Sequence, residues 1–238
     1  MVRKNGLGWI RSCFIATAAG VAMLTCIGQS NAALLSSWTL ETNTPADVTN
    51  SATGPAVASE AGIFPGTLTG VHVSANSDWT TPSGNGSANS YSANEWAVND
   101  YFQFSSSSSG ITGIKVYFDH TSSSTGPRDF TLQYSTDGTN FTNHANYSVV
   151  ANSSPNAWSA GTYLPIHSYT FDLTGVAALD NQPNIFFRLA VNSTVSASGG
   201  AVASTGTSRI DNIQVPEPTS IALFVVGVLV VVRRKMFA

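Results

Sequence analysis

The sequence has 238 residues, of which 32 Ser, 25 Thr and 18 Asn make up nearly a third, while only 10% are charged. This composition argues against a cytosolic enzyme and is typical of an exported, loop-rich β protein. Apolar stretches at both ends leave about 180 residues between them, which suffice for one hydrophobic core, so we expect no second sizeable domain.

The N-terminal segment has the order of a secretory signal peptide. Basic residues precede an apolar run over 13–27, and the small residues Ser30 and Ala32 follow at the −3 and −1 positions of a cleavage site. We therefore predict a signal peptide over residues 1–32, cleaved between Ala32 and Ala33. The alternative is a buried or amphipathic N-terminal helix.

Both cysteines, Cys13 and Cys26, lie inside this predicted signal peptide. The mature chain would then contain no thiol, which excludes disulfides, zinc-thiolate sites and a cysteine nucleophile together. A lipoprotein attached through Cys26 is disfavoured, because Thr25 stands where a lipobox requires Gly, Ala or Ser.

Apolar and polar residues alternate along the middle of the chain, which predicts half-buried strands. We predict strands over 38–40, 68–73, 101–104, 114–119, 130–135, 168–173, 185–191 and 210–215, and solvated loops over 82–92 and 105–109. Gly138 favours a hairpin turn over 136–140. Without a comparable helical stripe, the pattern predicts an all-β fold. We expect an antiparallel β-sandwich of the jelly-roll type over 33–214, flanked by the signal peptide and a C-terminal transmembrane helix.

This central region is strongly acidic. Between Ala33 and Glu217, four basic residues face thirteen acidic ones, for a formal charge of −9. Binding to nucleic acid or to anionic lipid needs clustered Lys and Arg. We therefore expect no nucleic-acid partner.

The motifs of common hydrolases are missing: neither HExxH nor GxSxG occurs, and the four histidines match no metal-binding spacing. Asp119, His120 and Asp129 are the only candidates for a catalytic group, because they end one predicted strand and begin the next. Convergence near a loop end is a poor indication of catalysis, so we predict no enzymatic activity.

Asp211 is the one candidate for a metal ligand. It shares a strand face with Ile213 and Val215, so its carboxylate should point towards the core, where an unpaired charge is costly. A structural role, with an arginine or backbone N–H groups as partners, is the first interpretation. The second is a calcium site formed by Asp211, Glu41 and loop carbonyls, which a resemblance to galactose-binding-like sandwiches would imply.

Three tryptophans, Trp79, Trp96 and Trp158, lie in polar stretches near Asn or Asp. Exposed rings of this kind stack on sugars, which predicts a carbohydrate platform. Packing at the core or its rim is the alternative.

The C-terminal tail has three parts: Pro216-Glu217-Pro218, an apolar run over 219–232, and Arg233-Arg234-Lys235. The run predicts a short transmembrane helix, since about 21 Å of helix is less than a bilayer core of about 30 Å. By the positive-inside preference the anchor would be N-out and C-in. The two prolines should prevent regular pairing and keep the motif extended. A buried helix is the alternative.

These three parts resemble the PEP-CTERM sorting signal of exported Gram-negative bacterial proteins, and we assign the tail to 215–238. The resemblance implies that an exosortase, a membrane-embedded cysteine transpeptidase-like enzyme, recognises Pro216, Glu217 and Pro218, and that Arg233, Arg234 and Lys235 form the cytoplasmic stop. It also implies a transient inner-membrane anchor, followed by passage to the cell surface or extracellular matrix. The segments 100–104, 123–130, 134–138 and 209–213 resemble the bodies of many PEP-CTERM proteins, whose domains are similar to galactose-binding-like jelly rolls. This resemblance carries no activity by itself.

These predictions favour a non-enzymatic surface or matrix protein that is a structural or adhesive component of extracellular polysaccharide. A carbohydrate-binding module is the alternative, and a secreted polysaccharide hydrolase is the least favoured. No cofactor is expected other than calcium.

Overall fold

A computed structural model of the protein describes residues 33–217. Within this range the chain forms twelve strands and two short 3-10 helices, Pro165–His167 and Ala177–Leu179. The strands are β1 (Leu34–Trp38), β2 (Val57–Ala58), β3 (Thr67–Val71), β4 (Trp79–Thr80), β5 (Tyr91–Ala93), β6 (Tyr101–Ser106), β7 (Lys115–Ser122), β8 (Asp129–Ser135), β9 (Thr142–Ser148), β10 (Ser168–Asp172), β11 (Ile185–Val191) and β12 (Ser208–Pro216). The predicted all-β class is confirmed.

The strands form two six-stranded antiparallel sheets. Sheet 1 has the order β10-β7-β12-β5-β4, with β1 beside the second half of β12, and sheet 2 has the order β2-β3-β6-β11-β8-β9. From β5 to β8, and again from β9 to β12, each connection passes from one sheet to the other. This alternation is that of a jelly-roll β-sandwich.

Aromatic side chains of the two sheets meet in a single core. The ring of Phe102 from sheet 2 lies 5.7 Å from Tyr91 and 6.0 Å from His120, both in sheet 1. His120 in turn lies 4.4 Å from the ring of Phe130 on sheet 2. All four side chains are fully buried, so these contacts fix the spacing of the sheets.

Seven of the eight predicted strands have a counterpart with somewhat different ends, whereas the prediction over 38–40 shares only Trp38 with β1. Strand β1 ends at Trp38, because Leu40 has a φ of 62° that extended backbone does not adopt. Four strands escaped prediction: β2, β4, β5 and β9. Three of them are only two or three residues long, and β9 is an edge strand of mostly polar residues.

The two segments predicted as solvated loops, 82–92 and 105–109, are loops for most of their length, but they run into β5 and β6 and contain buried residues, so the prediction was right only in part. Ser106 belongs to β6, and the buried Ser108 hydroxyl donates to the Leu179 carbonyl over 2.6 Å. In the other segment, Asn85 and Ser90 are buried. Serine and asparagine can be buried here because their polar atoms find partners.

Among residues 33–217, no helix is long and apolar enough to span a membrane. The predicted signal peptide at 1–32 and transmembrane helix at 219–232 lie outside the described residues. So do Pro218 and the basic triplet Arg233-Arg234-Lys235.

The close approach of Gly70 to Trp79 gives a test of this packing. A Cβ atom at Gly70 would lie 2.3 Å from the indole ring, so we expect Gly70→Ala to lower the free energy of unfolding by about 1–3 kcal/mol. Urea unfolding followed by tryptophan fluorescence measures the change. Gly175→Ala is the matched control, because no atom lies within 4 Å of its Cβ position. Equal stability of the two variants would contradict this packing.

Candidate functional site

The sorting motif begins inside the last strand of the body. Pro216 is the final residue of β12 and pairs with Leu34 of β1. The Glu217 N–H donates to the Ala33 carbonyl, and the Ala33 N–H donates to Glu217 Oε1, each over 2.9 Å. The expectation that the prolines prevent pairing was therefore wrong for Pro216. Proline ends the strand here, but neighbouring residues supply the hydrogen bonds.

The three candidate tryptophans are buried, with exposed fractions of 0% for Trp79, 6% for Trp96 and 7% for Trp158. Trp79 stacks on Tyr91 at 5.4 Å and donates from Nε1 to the Ser51 carbonyl. Since a sugar platform needs an exposed ring face, burial contradicts the prediction for all three. Trp79 and Trp96 pack in the core instead, and Trp158 packs against His167 of the first 3-10 helix.

Asp211 lies in a fully buried network with a second carboxylate. Asp211 and Asp119 stand opposite each other on β12 and β7, and both are 0% exposed. Two asparagines bridge them. Asn85 donates from its backbone to Asp211 over 2.9 Å and from Nδ2 to Asp119 over 3.1 Å. Asn212, at a β-bulge with φ of 50°, donates from its backbone to Asp211 over 2.7 Å and from Nδ2 to Asp119 over 2.9 Å.

Burial raises the pKa of Asp211 to about 7, and the nearby Asp119 charge adds to this effect. Hydrogen bonds from Ser87, Asn85 and Asn212 act in the opposite direction. Within the described part of the chain, the ion pairs are Lys115–Asp172 and Arg128–Asp129, so no arginine there pairs with Asp211. The structural interpretation therefore holds, with N–H and O–H groups as partners.

Calcium at Asp211 and Glu41 stays a prediction. Both residues hold the 84–89 loop: Glu41 accepts from the Asn89 backbone over 2.9 Å, and Asp211 accepts from Ser87 and Asn85. Calcium takes six to eight oxygen ligands, whereas hydrogen-bond donors surround Asp211. This donor set does not fit a calcium ion. Residues 33–217 contain no group of three acidic, His or Cys residues placed to hold a metal.

The candidate catalytic residues do not converge. Both ring nitrogens of the buried His120 are used, one with the Tyr147 hydroxyl at 2.9 Å and the other with the Ser208 hydroxyl at 2.8 Å. Burial lowers the pKa of His120 to about 3. Asp129 accepts from Arg128 instead, and Asp119 belongs to the asparagine network. The three side chains form no hydrogen bonds with one another in the described range.

The outer face of sheet 2 carries a feature that the sequence did not reveal. Direct register across five strands aligns one polar side chain from each of β3, β6, β11, β8 and β9. This polar row consists of Thr69, Gln103, Arg188, Gln133 and Asn143. With strands about 4.8 Å apart, the row is about 19 Å long.

Arg188 lies at the centre of the polar row. Its Nε donates to Gln103 Oε1 over 2.8 Å, and its guanidinium carbon lies 3.9 Å from the Tyr101 ring centroid and 3.6 Å from that of Phe141. Burial lowers the pKa of this guanidinium group, and its interaction with Tyr101 acts in the opposite direction. A planar donor group held between two rings is suited to binding hydroxyl or carboxylate oxygens. The one sequence signal was a charged residue within the apolar run Ile185–Val191.

Comparison with known proteins identifies the tail. Residues 214–235 match the PEP-CTERM protein-sorting motif, which confirms the predicted resemblance. The motif implies export and membrane-anchored sorting. No curated protein matches the sequence.

Solved structures resemble the body only distantly. The K1 cleaved adhesin domain of Lys-gingipain from Porphyromonas gingivalis W83 has 10% identity over 76% of this chain and 97% of its own, with a TM-score of 0.40. The CBM22-2 xylan-binding domain of Paenibacillus barcinonensis Xyn10C has 9% identity over 60% and 87%, with a TM-score of 0.37. TmCBM61, solved with β-1,4-galactotriose, has 13% identity over 54% and 71%, with a TM-score of 0.30. Likeness at this level carries no argument about the ligand of this chain.

The raised pKa of Asp211 predicts a specific pH dependence. Between the unfolded pKa of 3.8 and the folded pKa of about 7, the folded state keeps a proton that the unfolded state has lost, so this contribution to stability falls as pH rises. We expect the unfolding free energy of Asp211→Asn, relative to the unsubstituted protein, to rise by about 1–3 kcal/mol between pH 5 and pH 8.

Urea unfolding at several pH values measures the difference in unfolding free energy between Asp211→Asn and the unsubstituted protein. The buried histidines are the same in both proteins, so their contribution cancels in this difference. Asp172→Asn is the control. Hydrogen bonds from Thr174 lower the pKa of Asp172, so its contribution should not vary over this range. Parallel stability curves for Asp211→Asn and the unsubstituted protein would contradict the prediction.

Proposed function

We propose that this chain is an exported, non-enzymatic surface or extracellular-matrix protein that an exosortase sorts through its PEP-CTERM tail. The match of residues 214–235 to the sorting motif is the observation that carries the proposal. Before processing, the protein is anchored in the inner membrane with its body outside and Arg233-Arg234-Lys235 in the cytoplasm. Afterwards the β-sandwich is a structural or adhesive component of extracellular polysaccharide, as in a biofilm.

The absence of converging catalytic groups among residues 33–217 supports a role without catalysis. A hydrolase needs a nucleophile with a base, two carboxylates flanking the substrate, or a metal. Among residues 33–217, the carboxylates that stand opposite each other are Asp119 and Asp211, which are buried and accept hydrogen bonds from asparagine, serine and tyrosine. They have no path to a polysaccharide in this state.

The polar row favours a second function, carbohydrate binding by the body itself. Sugars present many hydroxyl groups and apolar ring faces, and sites that bind them combine polar side chains with aromatic rings. Arg188, Gln103 and Gln133 supply donors and acceptors along the row, and Tyr101 and Phe141 supply rings. This surface replaces Trp79, Trp96 and Trp158 as the proposed platform. The body would then hold polysaccharide directly.

Sorting is tested with an epitope inserted at Gly175, an exposed position with no atom near its Cβ site. The full-length chain is followed through membrane, surface and medium fractions, with intact mass, in cells with and without the exosortase. We expect a form lacking the residues after Pro216-Glu217-Pro218 to leave the membrane only when the enzyme is present. Pro218→Ala should reduce this release. A full-length protein retained in the membranes of both strains would contradict the proposal.

Carbohydrate binding is tested with Arg188→Met, which keeps an apolar stem and removes the guanidinium group. We expect the affinity for exopolysaccharide purified from the producing cells to fall about 10- to 150-fold, since a hydrogen bond from a charged group contributes about 1.5–3 kcal/mol. Lys115→Met, which removes a cation from sheet 1, is the matched control and should bind normally. Melting temperatures verify that both variants fold. Unchanged affinity of Arg188→Met would exclude the polar row as the binding surface.

A further inference from the structure

The first and last described residues of the body, Ala33 and Glu217, are bonded to each other. They close the open end of the β1–β12 ladder with two hydrogen bonds of 2.9 Å, one of which ends on the Glu217 carboxylate. Both residues are half-buried. Ala33 is also the residue that signal-peptide cleavage would leave at the N-terminus, and Glu217 is the central residue of the sorting motif. The geometry therefore joins the two processed ends of the chain at one point.

We propose that removal of the signal peptide creates an ion pair between the new α-ammonium group of Ala33 and the Glu217 carboxylate, which holds the sorting motif on the folded body. Hydrolysis of the Ala32–Ala33 peptide bond consumes one water and leaves a carboxylate on Ala32 and an ammonium group on Ala33. The nitrogen that already donates to Glu217 thereby gains a positive charge and further donors. No movement of β1 or β12 is needed.

Removal of the signal peptide strengthens the contact between Ala33 and Glu217 because it replaces a neutral hydrogen-bond donor with a charged one. A charge-assisted hydrogen bond is roughly twice as strong as a neutral one. Within residues 33–217, no Lys, Arg or His forms an ion pair with Glu217, so the new ammonium group has no competitor there. The pair is partly exposed to solvent, so its contribution is modest. It acts at the end of a ladder, where strands fray first, so even a small gain slows local opening.

This inference rests on the proposed function, from which it takes cleavage after Ala32 and the sorting role of the tail. It adds that the two processing events are physically linked. N-terminal processing strengthens the attachment of the motif to the body, and the exosortase therefore meets Glu217 as part of a closed sheet end.

The test uses the full-length chain, produced in cells that lack the exosortase so that the tail remains, and extracted in detergent. Insertion of Gly-Ser between Ala32 and Ala33 keeps the Ala33 N–H but moves the ammonium group two residues away, while Glu217→Gln removes the carboxylate charge. Hydrogen–deuterium exchange at the Glu217 amide, which donates to Ala33, reports opening of this end. We expect each change to raise the exchange rate about two- to fivefold. The double variant should exchange no faster than Glu217→Gln alone.

Two controls distinguish the loss of the Ala33–Glu217 ion pair from a general effect of inserting or substituting residues. Gly-Ser inserted after Gly175 and the substitution Glu41→Gln, which leaves the β1–β12 end intact, should not change exchange at Glu217. The inference is overturned if the insertion before Ala33 has no effect, or if its effect persists in Glu217→Gln. Intact mass showing an N-terminus other than Ala33 also overturns it and leaves the sorting proposal standing. The sorting proposal fails separately, if the exosortase does not process the tail.

Discussion

The pairing of β12 along both of its edges is the constraint on which the rest of the structure depends. One edge pairs with β7, while the other pairs first with β5 and then with β1. Without β12, the strands on its two sides would no longer be joined into one sheet. The same strand carries Asp211 in its middle and Pro216 at its end, so a folded body and a docked sorting motif are parts of one β-ladder.

The β12–β7 pairing also places two carboxylates opposite each other, an arrangement that normally destabilises a sheet. With four basic residues between Ala33 and Glu217, the body has few cations to neutralise them. Amide groups donate hydrogen bonds to them instead, through Asn85 from a loop and Asn212 from the bulge. The bulge thus helps to solvate the two buried carboxyl groups. Neutral donors at this position suit a protein whose surface carries little positive charge.

Much of the fold was predictable because its main strands carry their own alternation of apolar residues, as in the 185–191 segment that β11 matches. Strand β9 could not be predicted, because an edge strand of polar residues has no apolar alternation of its own and forms only by pairing with β8. The sorting tail could be predicted because its three parts are contiguous in the sequence. The polar row could not be predicted, because only the register of the strands aligns Thr69, Arg188 and Asn143. The tryptophans were misassigned because their sequence neighbours are polar while their spatial neighbours are not.

The adjacency of Ala33 and Glu217 determines how the body responds to mechanical load. β1 and β12 are antiparallel, and these two residues stand at the same end of their ladder. A pull that separates Ala33 from Glu217 acts across the strands, so it breaks the ladder bonds one after another instead of shearing them together. Traction between the two ends would thus unzip β1 from β12 in small steps, beginning at the hydrogen bonds to Glu217 and reaching the buried Trp38 at the far end of β1 last.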